Sequence, residues 1–285
     1  MKKVLVVGAG TMGAGIAYLF ARSFPEAQVF LVDIKPDQLQ KARESQESWE
    51  KKDRQRGNLA EGQKLNLIYE GSFTNLPKDF DLLLEAVSED LELKKKIFRT
   101  FDELSHDTSL ITSNTSSLSL TLMAREVPPQ KRGNVLGLHF FNPPLVMPLL
   151  EIVQTLLTSS EALERAKSIA VTLKKTPVVV KDSPGFITTR LGMVMLNEAV
   201  FALQEGIASA EEIDQAMKLG FNHPMGPLEL ADLIGLDVVF AITQTLYENF
   251  QDSKYRAAPL LRKLVEAGHL GRKTGRGFYT YPRST

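Results

Sequence analysis

The sequence predicts an α/β protein, with a mostly parallel sheet covered by helices in its N-terminal part and an all-α domain after it. Three observations carry this. Short apolar runs alternate with amphipathic helical stretches up to about residue 180. The first run enters a glycine-rich turn that opens a helix. Beyond Lys181-Asp182-Ser183-Pro184-Gly185 the strand pattern gives way to helical spacing. Domains of residues 1–182 and 183–285 are therefore expected, and a length of 285 residues favours two domains over one.

Taken in order, Lys3–Val7 is an apolar run and Thr11–Ser23 follows with helical spacing. Gln28–Val32 is a second run, closed by Asp33. Pro36–Arg56 reads as a helix with a wet face. Asp81–Leu84 and Ser109–Thr112 are strand candidates around the helix Leu91–Leu104, whose Leu91, Ile97, Phe98, Phe101 and Leu104 share a face. Val135–Leu138, Glu151–Gln154 and Pro177–Val180 are later strands, with the helix Glu161–Lys174 before the last. In the second part, Ser183 suits an N-cap and Pro184 a first helical position, predicting a helix to Glu205 stopped by Gly206. Ser209-Ala210-Glu211-Glu212 is a capping box, and its helix ends at Gly220. Pro227–Asn249 and Pro259–Ala267 continue the helical pattern, leaving Phe278–Tyr281 as the strand candidate of this part.

Lys+Arg and Asp+Glu both number 34, so the formal net charge is zero. That argues against nucleic-acid or membrane-surface partners recruited by bulk charge. The absence of cysteine excludes disulfides and thiolate chemistry. The four histidines lack ligand spacing, and no metal is expected. No apolar stretch reaches bilayer length, and Val4–Val7 is too short for a signal core, so the expected compartment is the cytoplasm.

Gly8-Ala9-Gly10-Thr11-Met12-Gly13 is a G-x-G-x-x-G turn with a strand before it and a helix after it. Gly8 permits the tight turn, Gly10 admits a pyrophosphate to the backbone, and Gly13 packs the helix close to the sheet. The helix start at Thr11 and Met12 presents N–H groups and positive partial charge to phosphate. Asp33, at the end of the second strand, stands 20 residues beyond Gly13. A carboxylate there accepts a ribose 2′-OH and repels a 2′-phosphate. The sheet is therefore read as Rossmann-type and the cofactor as NAD rather than NADP. Lys35 softens that preference, and a flavin shares the fingerprint.

Gly137-Leu138-His139-Phe140-Phe141-Asn142-Pro143-Pro144 places a histidine and an asparagine at the end of an apolar strand, where open α/β sheets collect ligands. Glu151 follows at the start of the next strand, and a proline-rich turn can bring the two together. A carboxylate against an imidazole fixes its tautomer and favours the imidazolium as it forms. Alcohol oxidation needs such a base. On local pattern alone, a strand-end histidine is more often structural.

Gly8–Gly13, Glu85-Ala86-Val87-Ser88-Glu89, Ser113-Asn114-Thr115-Ser116-Ser117-Leu118, Gly137–Pro143 with Glu151, Asp182–Phe186, His223-Pro224-Met225-Gly226-Pro227 and Gly275-Arg276-Gly277-Phe278-Tyr279 occur in one order. Together they resemble the L-3-hydroxyacyl-CoA dehydrogenase family, including its bacterial 3-hydroxybutyryl-CoA members, across essentially the whole chain. The resemblance implies an acyl-CoA substrate, NAD and a homodimer. It implies His139 as general base in oxidation, with Glu151 orienting it. Ser116 would bond the substrate near the nicotinamide, and Asn142 would place nicotinamide and reacting oxygen. Glu89 and Lys94 would line the cofactor site, and Lys273 would reach back to the cofactor. Without the resemblance, Glu89 and Lys94 read as a solvated helix face and Lys273 as a surface lysine.

One position departs from the family pattern: Thr189 stands where an asparagine usually helps bind the substrate oxygen. The basic run Lys51, Lys52, Arg54 and Arg56 lies on the helix that faces CoA in the family, although such a run is equally a solvated face. Two other readings stay open. One is a dehydrogenase of a free sugar acid such as L-gulonate. The other is a non-catalytic, crystallin-like protein, against which the presence of both His139 and Glu151 argues.

Overall fold

The structure, a computed structural model, describes residues 1–282. The chain divides into two units, Met1–Asp182 and a second beginning at Ser183. The strands of the first are β1 (Lys3–Val7), β2 (Gln28–Val32), β3 (Leu67–Glu70), β4 (Phe80–Glu85), β5 (Ser105–Ser113), β6 (Val135–Phe140), β7 (Leu149–Gln154) and β8 (Thr176–Lys181). They form one sheet in the order β3-β2-β1-β4-β5-β6-β7-β8. Every neighbouring pair is parallel except β6 and β7, which run antiparallel. Its helices are α1 (Thr11–Ser23), α2 (Pro36–Gln55), α3 (Leu91–Leu104), α4 (Leu120–Ala124) and α5 (Ser160–Thr172).

Continuous apolar runs make the central strands because both of their faces are covered. Val4, Val6, Leu31, Leu82, Leu84, Leu138 and Ile152 are buried together with Ile16, Leu19 and Phe20 of α1. The face of α3 read from its periodicity is the one that packs, since Phe98 and Phe101 have no exposed surface.

The second unit contains α6 (Thr188–Gln204), α7 (Ala210–Gly220), α8 (Pro227–Ile234), α9 (Leu236–Phe250) and α10 (Pro259–Glu266) around a core of its own. The Ser209 capping box is present as expected. Three expectations need correction. The first helix begins at Thr188 rather than Pro184, because Gly185 (φ 73°) and Phe186 (φ 48°) take left-handed conformations in a turn closed by Phe186 N–H on Ser183 O. The single helix over Pro227–Asn249 is broken at Gly235 (φ 104°) into α8 and α9. Phe278–Tyr281 makes an isolated bridge, Arg276 to Thr280, and not a strand. In the first unit, β3 and α4 are additions. β3 is a short, half-buried strand at the sheet edge. α4 is a single turn or so, its start held by the Ser119 hydroxyl and by Asp182, which accepts from Thr121 N–H at 2.7 Å.

Candidate active site

The carboxyl ends of β1, β2, β4, β5 and β6 share one edge of the sheet, and the chain order reverses between β1 and β4. The glycine-rich turn lies at that reversal. Gly8 has φ 101°, and a Cβ there would stand 2.6 Å from Ala86 O. A Cβ on Gly13 would stand 1.7 Å from Gly8 O. These two glycines are therefore required by the turn itself. Gly10 differs, because a Cβ there meets nothing within 4 Å. The open space is over the start of α1, where Gly10 is the N-cap and Thr11 and Met12 form the first turn. The Asp33 carboxylate accepts from Ala9 N–H at 2.8 Å and from Lys35 N–H at 2.9 Å, bracing the turn. A cleft of about 420 Å³ opens here between Gly8, Gly10, Asp33, Gln38, Phe73 and Leu93. A dinucleotide fits these residues, with bare backbone for a pyrophosphate and a carboxylate for a ribose.

His139 and Glu151 are direct partners in the β6/β7 ladder. Opposed residues of an antiparallel pair project to the same face, which turns a sequence separation of 12 into contact. His139 Nδ1 lies 2.7 Å from Glu151 Oε2, with the histidine 6% exposed and the glutamate fully buried. The Phe141 ring packs 4.5 Å from the imidazole, centroid to centroid. Asn114, at the end of β5, accepts the Phe140 N–H at 2.8 Å and ties the neighbouring strand to the histidine's own. That role was not visible in the sequence, where Asn114 was only one letter of a motif.

Lys94 is not part of a solvated helix face, and Glu89 is exposed in the bend before α3. Lys94 is 1% exposed, and its ammonium meets Glu85 at 2.7 Å and Glu89 at 3.3 Å. Its ammonium is enclosed by these two carboxylates, of which Glu89 reaches the Ser116 turn. Glu85 also accepts from the Ser113 hydroxyl and from Val87 N–H. Burial pushes the Glu85 carboxyl up, and Lys94, Ser113 and Val87 only partly offset this. Glu89 Oε1 accepts the Thr115 hydroxyl at 2.6 Å and the N–H groups of Ser116 and Ser117 at 3.1 Å each. Burial raises this carboxyl too, but the Lys94 charge and the serine-rich turn outweigh it and hold Glu89 below its ordinary value. Ser116 thus sits on a turn whose shape is set by Glu89.

Beside Asn142 a second cleft, of about 350 Å³, is lined by Thr11, Lys52, Arg56, Asn142, Pro143 and Val146. The basic run therefore divides. Lys52 and Arg56, one helical turn apart, face this cleft. Arg54 pairs with Glu50 on the surface of α2 and reaches Gln63 O, and Lys51 is exposed, both outside the cleft lining. Between them Asp53, unremarked in the sequence, is buried and accepts from Tyr18, Arg22 and Asn58 at 3.0, 2.8 and 2.9 Å. Burial raises its carboxyl, but the bonds from Asn58, Arg22 and Tyr18 prevail and lower it. A carboxylate lowered in the folded state adds stability above its unfolded value, and loses it as pH falls through the folded one. Asp53→Asn is expected to cost about 2 kcal/mol at pH 7. Thermal unfolding should show the gap from wild type narrowing toward pH 3, and a gap unchanged by pH contradicts the assignment.

In the helical unit, Lys273 pairs with Asp237 at 2.5 and 2.7 Å. This ion pair is half exposed. Thr189 lies in the first turn of α6, half buried.

Residues 3–183 match the family described as 3-hydroxyacyl-CoA dehydrogenase, NAD binding domain, and residues 185–281 match its C-terminal domain. The chain is 43% identical over 282 residues to a 3-hydroxybutyryl-CoA dehydrogenase of Clostridioides difficile, covering 98% of this chain and 99% of that one. It is 38% identical over 291 residues to the human mitochondrial hydroxyacyl-coenzyme A dehydrogenase, covering 99% and 91%. The crystal structure of (S)-3-hydroxybutyryl-CoA dehydrogenase from Ralstonia eutropha superposes with a TM-score of 0.92 at 42% identity, covering 99% of this chain and all of that one. With both domains matched in order and full-length relatives near 40% identity, the chain belongs to the 3-hydroxyacyl-CoA dehydrogenase family.

Proposed function

We propose that the chain oxidises the C3 hydroxyl of an (S)-3-hydroxyacyl-CoA to the 3-keto group with NAD, and catalyses the reverse reduction, with His139 and Glu151 as the acid–base pair. The observation that carries this is the ladder pairing of His139 with Glu151 at the sheet edge that also bears the glycine-rich turn. Bound NAD supplies the acceptor for the electron pair and hydrogen leaving C3. His139 takes the hydroxyl proton at Nε2, because Nδ1 is turned to Glu151. The O–H and C3–H bonds break as the C=O bond forms. Glu151 stabilises the imidazolium and fixes the ring. In reduction the same imidazolium returns the proton.

Ser116 and Asn142 orient the reacting oxygen, Lys52 and Arg56 hold the phosphates of CoA, and Thr189 donates a hydrogen bond to the acyl group in place of the usual asparagine. Assembly as a homodimer belongs to the same proposal, supported by the exposed Leu191, Leu219 and Phe221 of the helical unit. The sugar-acid and crystallin-like readings gain no support from relatives named for 3-hydroxybutyryl-CoA oxidation.

The test is oxidation of NADH in the presence of acetoacetyl-CoA, beside NADPH and beside NAD with gulonate. Turnover with NADH should exceed that with NADPH at least about tenfold, or 1.4 kcal/mol. No acetoacetyl-CoA-dependent oxidation, with turnover of gulonate, rejects the proposal. Gly10→Val should leave the melting temperature near wild type, since its side chain enters open space, and weaken NADH binding at least about tenfold. Fluorescence titration checks this, and an unchanged Kd removes the turn from the cofactor site.

A further inference from the structure

We propose that Lys175 is a positioning residue for the reaction, its buried ammonium clamping the 142–148 connection that begins with Asn142 and joins the strands of His139 and Glu151. The proposal rests on the acyl-CoA dehydrogenase reading above. Lys174 closes α5 in a left-handed conformation (φ 57°), with its N–H on Val171 O and the Lys175 N–H on Ala170 O, both at 2.9 Å. This helix-ending motif commonly turns an apolar side chain inward at the place of Lys175. Here it turns in a lysine that is 7% exposed. Nζ donates to Pro144 O and to Met147 O, each at 2.6 Å. Both partners are main-chain carbonyls of one loop. Burial lowers the pKa of this amine, with Arg22 adding to the effect. A buried amine is retained at a cost, and here its bonds are spent on holding that loop.

The other side of the loop is held independently. Pro144 fills a notch at Gly15 of α1, where a Cβ would stand 2.4 Å from Pro144 Cγ. The connection is thus gripped between the helix that opens on the glycine-rich turn and the ammonium that follows α5. The same connection walls the cleft containing Lys52 and Arg56. Releasing one grip lets Asn142 and the cleft wall shift, and a displacement near 1 Å at reacting groups can cost about a hundredfold in rate.

Lys175→Met keeps the apolar stem and removes the donors. For acetoacetyl-CoA reduction, kcat should fall at least about tenfold and the acetoacetyl-CoA KM should rise, while the NADH Kd stays within about twofold. A lysine needed only for folding gives another pattern, a lower melting temperature with normal constants measured well below it. That pattern, or NADH binding lost in step with kcat, overturns the proposal. Should Lys175→Met fail to fold, Gly15→Ala presses on the same loop from the opposite side. The same split is then expected, and normal acetoacetyl-CoA constants in that variant overturn the proposal. An inactive wild type defeats the functional reading itself, whereas an active wild type with a kinetically normal Lys175→Met defeats this inference alone.

Discussion

His139→Gln lowers turnover of acetoacetyl-CoA by about 10²–10⁴-fold, the usual contribution of a positioned acid–base group. At 1.36 kcal/mol per decade this is about 2.7–5.4 kcal/mol of barrier. The glutamine amide can still donate to Glu151, so the fully buried carboxylate keeps a hydrogen-bond partner and the fold should survive. What disappears is the nitrogen that exchanges a proton with the substrate oxygen. NADH binding should be unaffected, because the glycine-rich turn and Asp33 belong to β1, α1 and the end of β2. Glu151→Gln should cost less, since the imidazole remains but its cationic form loses a charged neighbour. Stopped-flow transients with acetoacetyl-CoA separate the chemical step from binding. Wild-type rates in His139→Gln remove the histidine from the mechanism.

Lys94→Met is expected to destabilise the protein by about 3–5 kcal/mol, the cost of breaking a buried ion pair by deleting one partner. The deletion leaves Glu85, fully buried, and Glu89 without their shared cation. Burial already raises the Glu85 carboxyl despite Lys94, and without the ammonium it must take up a proton to stay inside. A carboxyl raised in the folded state binds more protons there than in the unfolded chain, so stability is lost as pH rises. The loss begins near the unfolded value of about 4.3 and is complete once pH passes the folded one. The melting temperature of Lys94→Met should therefore fall more steeply with pH than that of wild type. Parallel curves, or equal melting temperatures at pH 7, refute the expectation. Turnover should fall as well, because Glu89 shapes the turn carrying Ser116 and is itself held by Lys94.

The parts of this fold that were legible in the sequence are those set by local rules. β1, α1 and β2 follow from an apolar run, three spaced glycines and a closing acid, and the Ser209 helix start follows from its capping box. The parts that were not legible depend on distant neighbours. β3 is a half-buried edge strand, which weakens its apolar alternation. Phe186 takes a left-handed conformation that its residue type disfavours, so the delayed start of α6 has no local signal. Lys94 lies among charged residues and looks wet until the Glu85 carboxylate is placed beneath it. Lys175 follows another lysine, and only the left-handed Lys174 turns it inward. For His139 and Glu151, residue types and spacing can be read along the chain, while contact requires the antiparallel pairing of their strands.

That pairing also constrains how the enzyme can be altered. Side chains on a strand alternate between faces, so moving β7 by a single residue against β6 would set Leu150 or Ile152 opposite His139 and send the carboxylate through to the other side of the sheet. Leu150 and Ile152 are fully buried in the apolar core, so a slip would drive the carboxylate into their place without the imidazole. Parity between the two strands is therefore inherited as one unit. A transplant of this chemistry into another scaffold has to carry both strands in phase, because grafting the two side chains alone would not reproduce it.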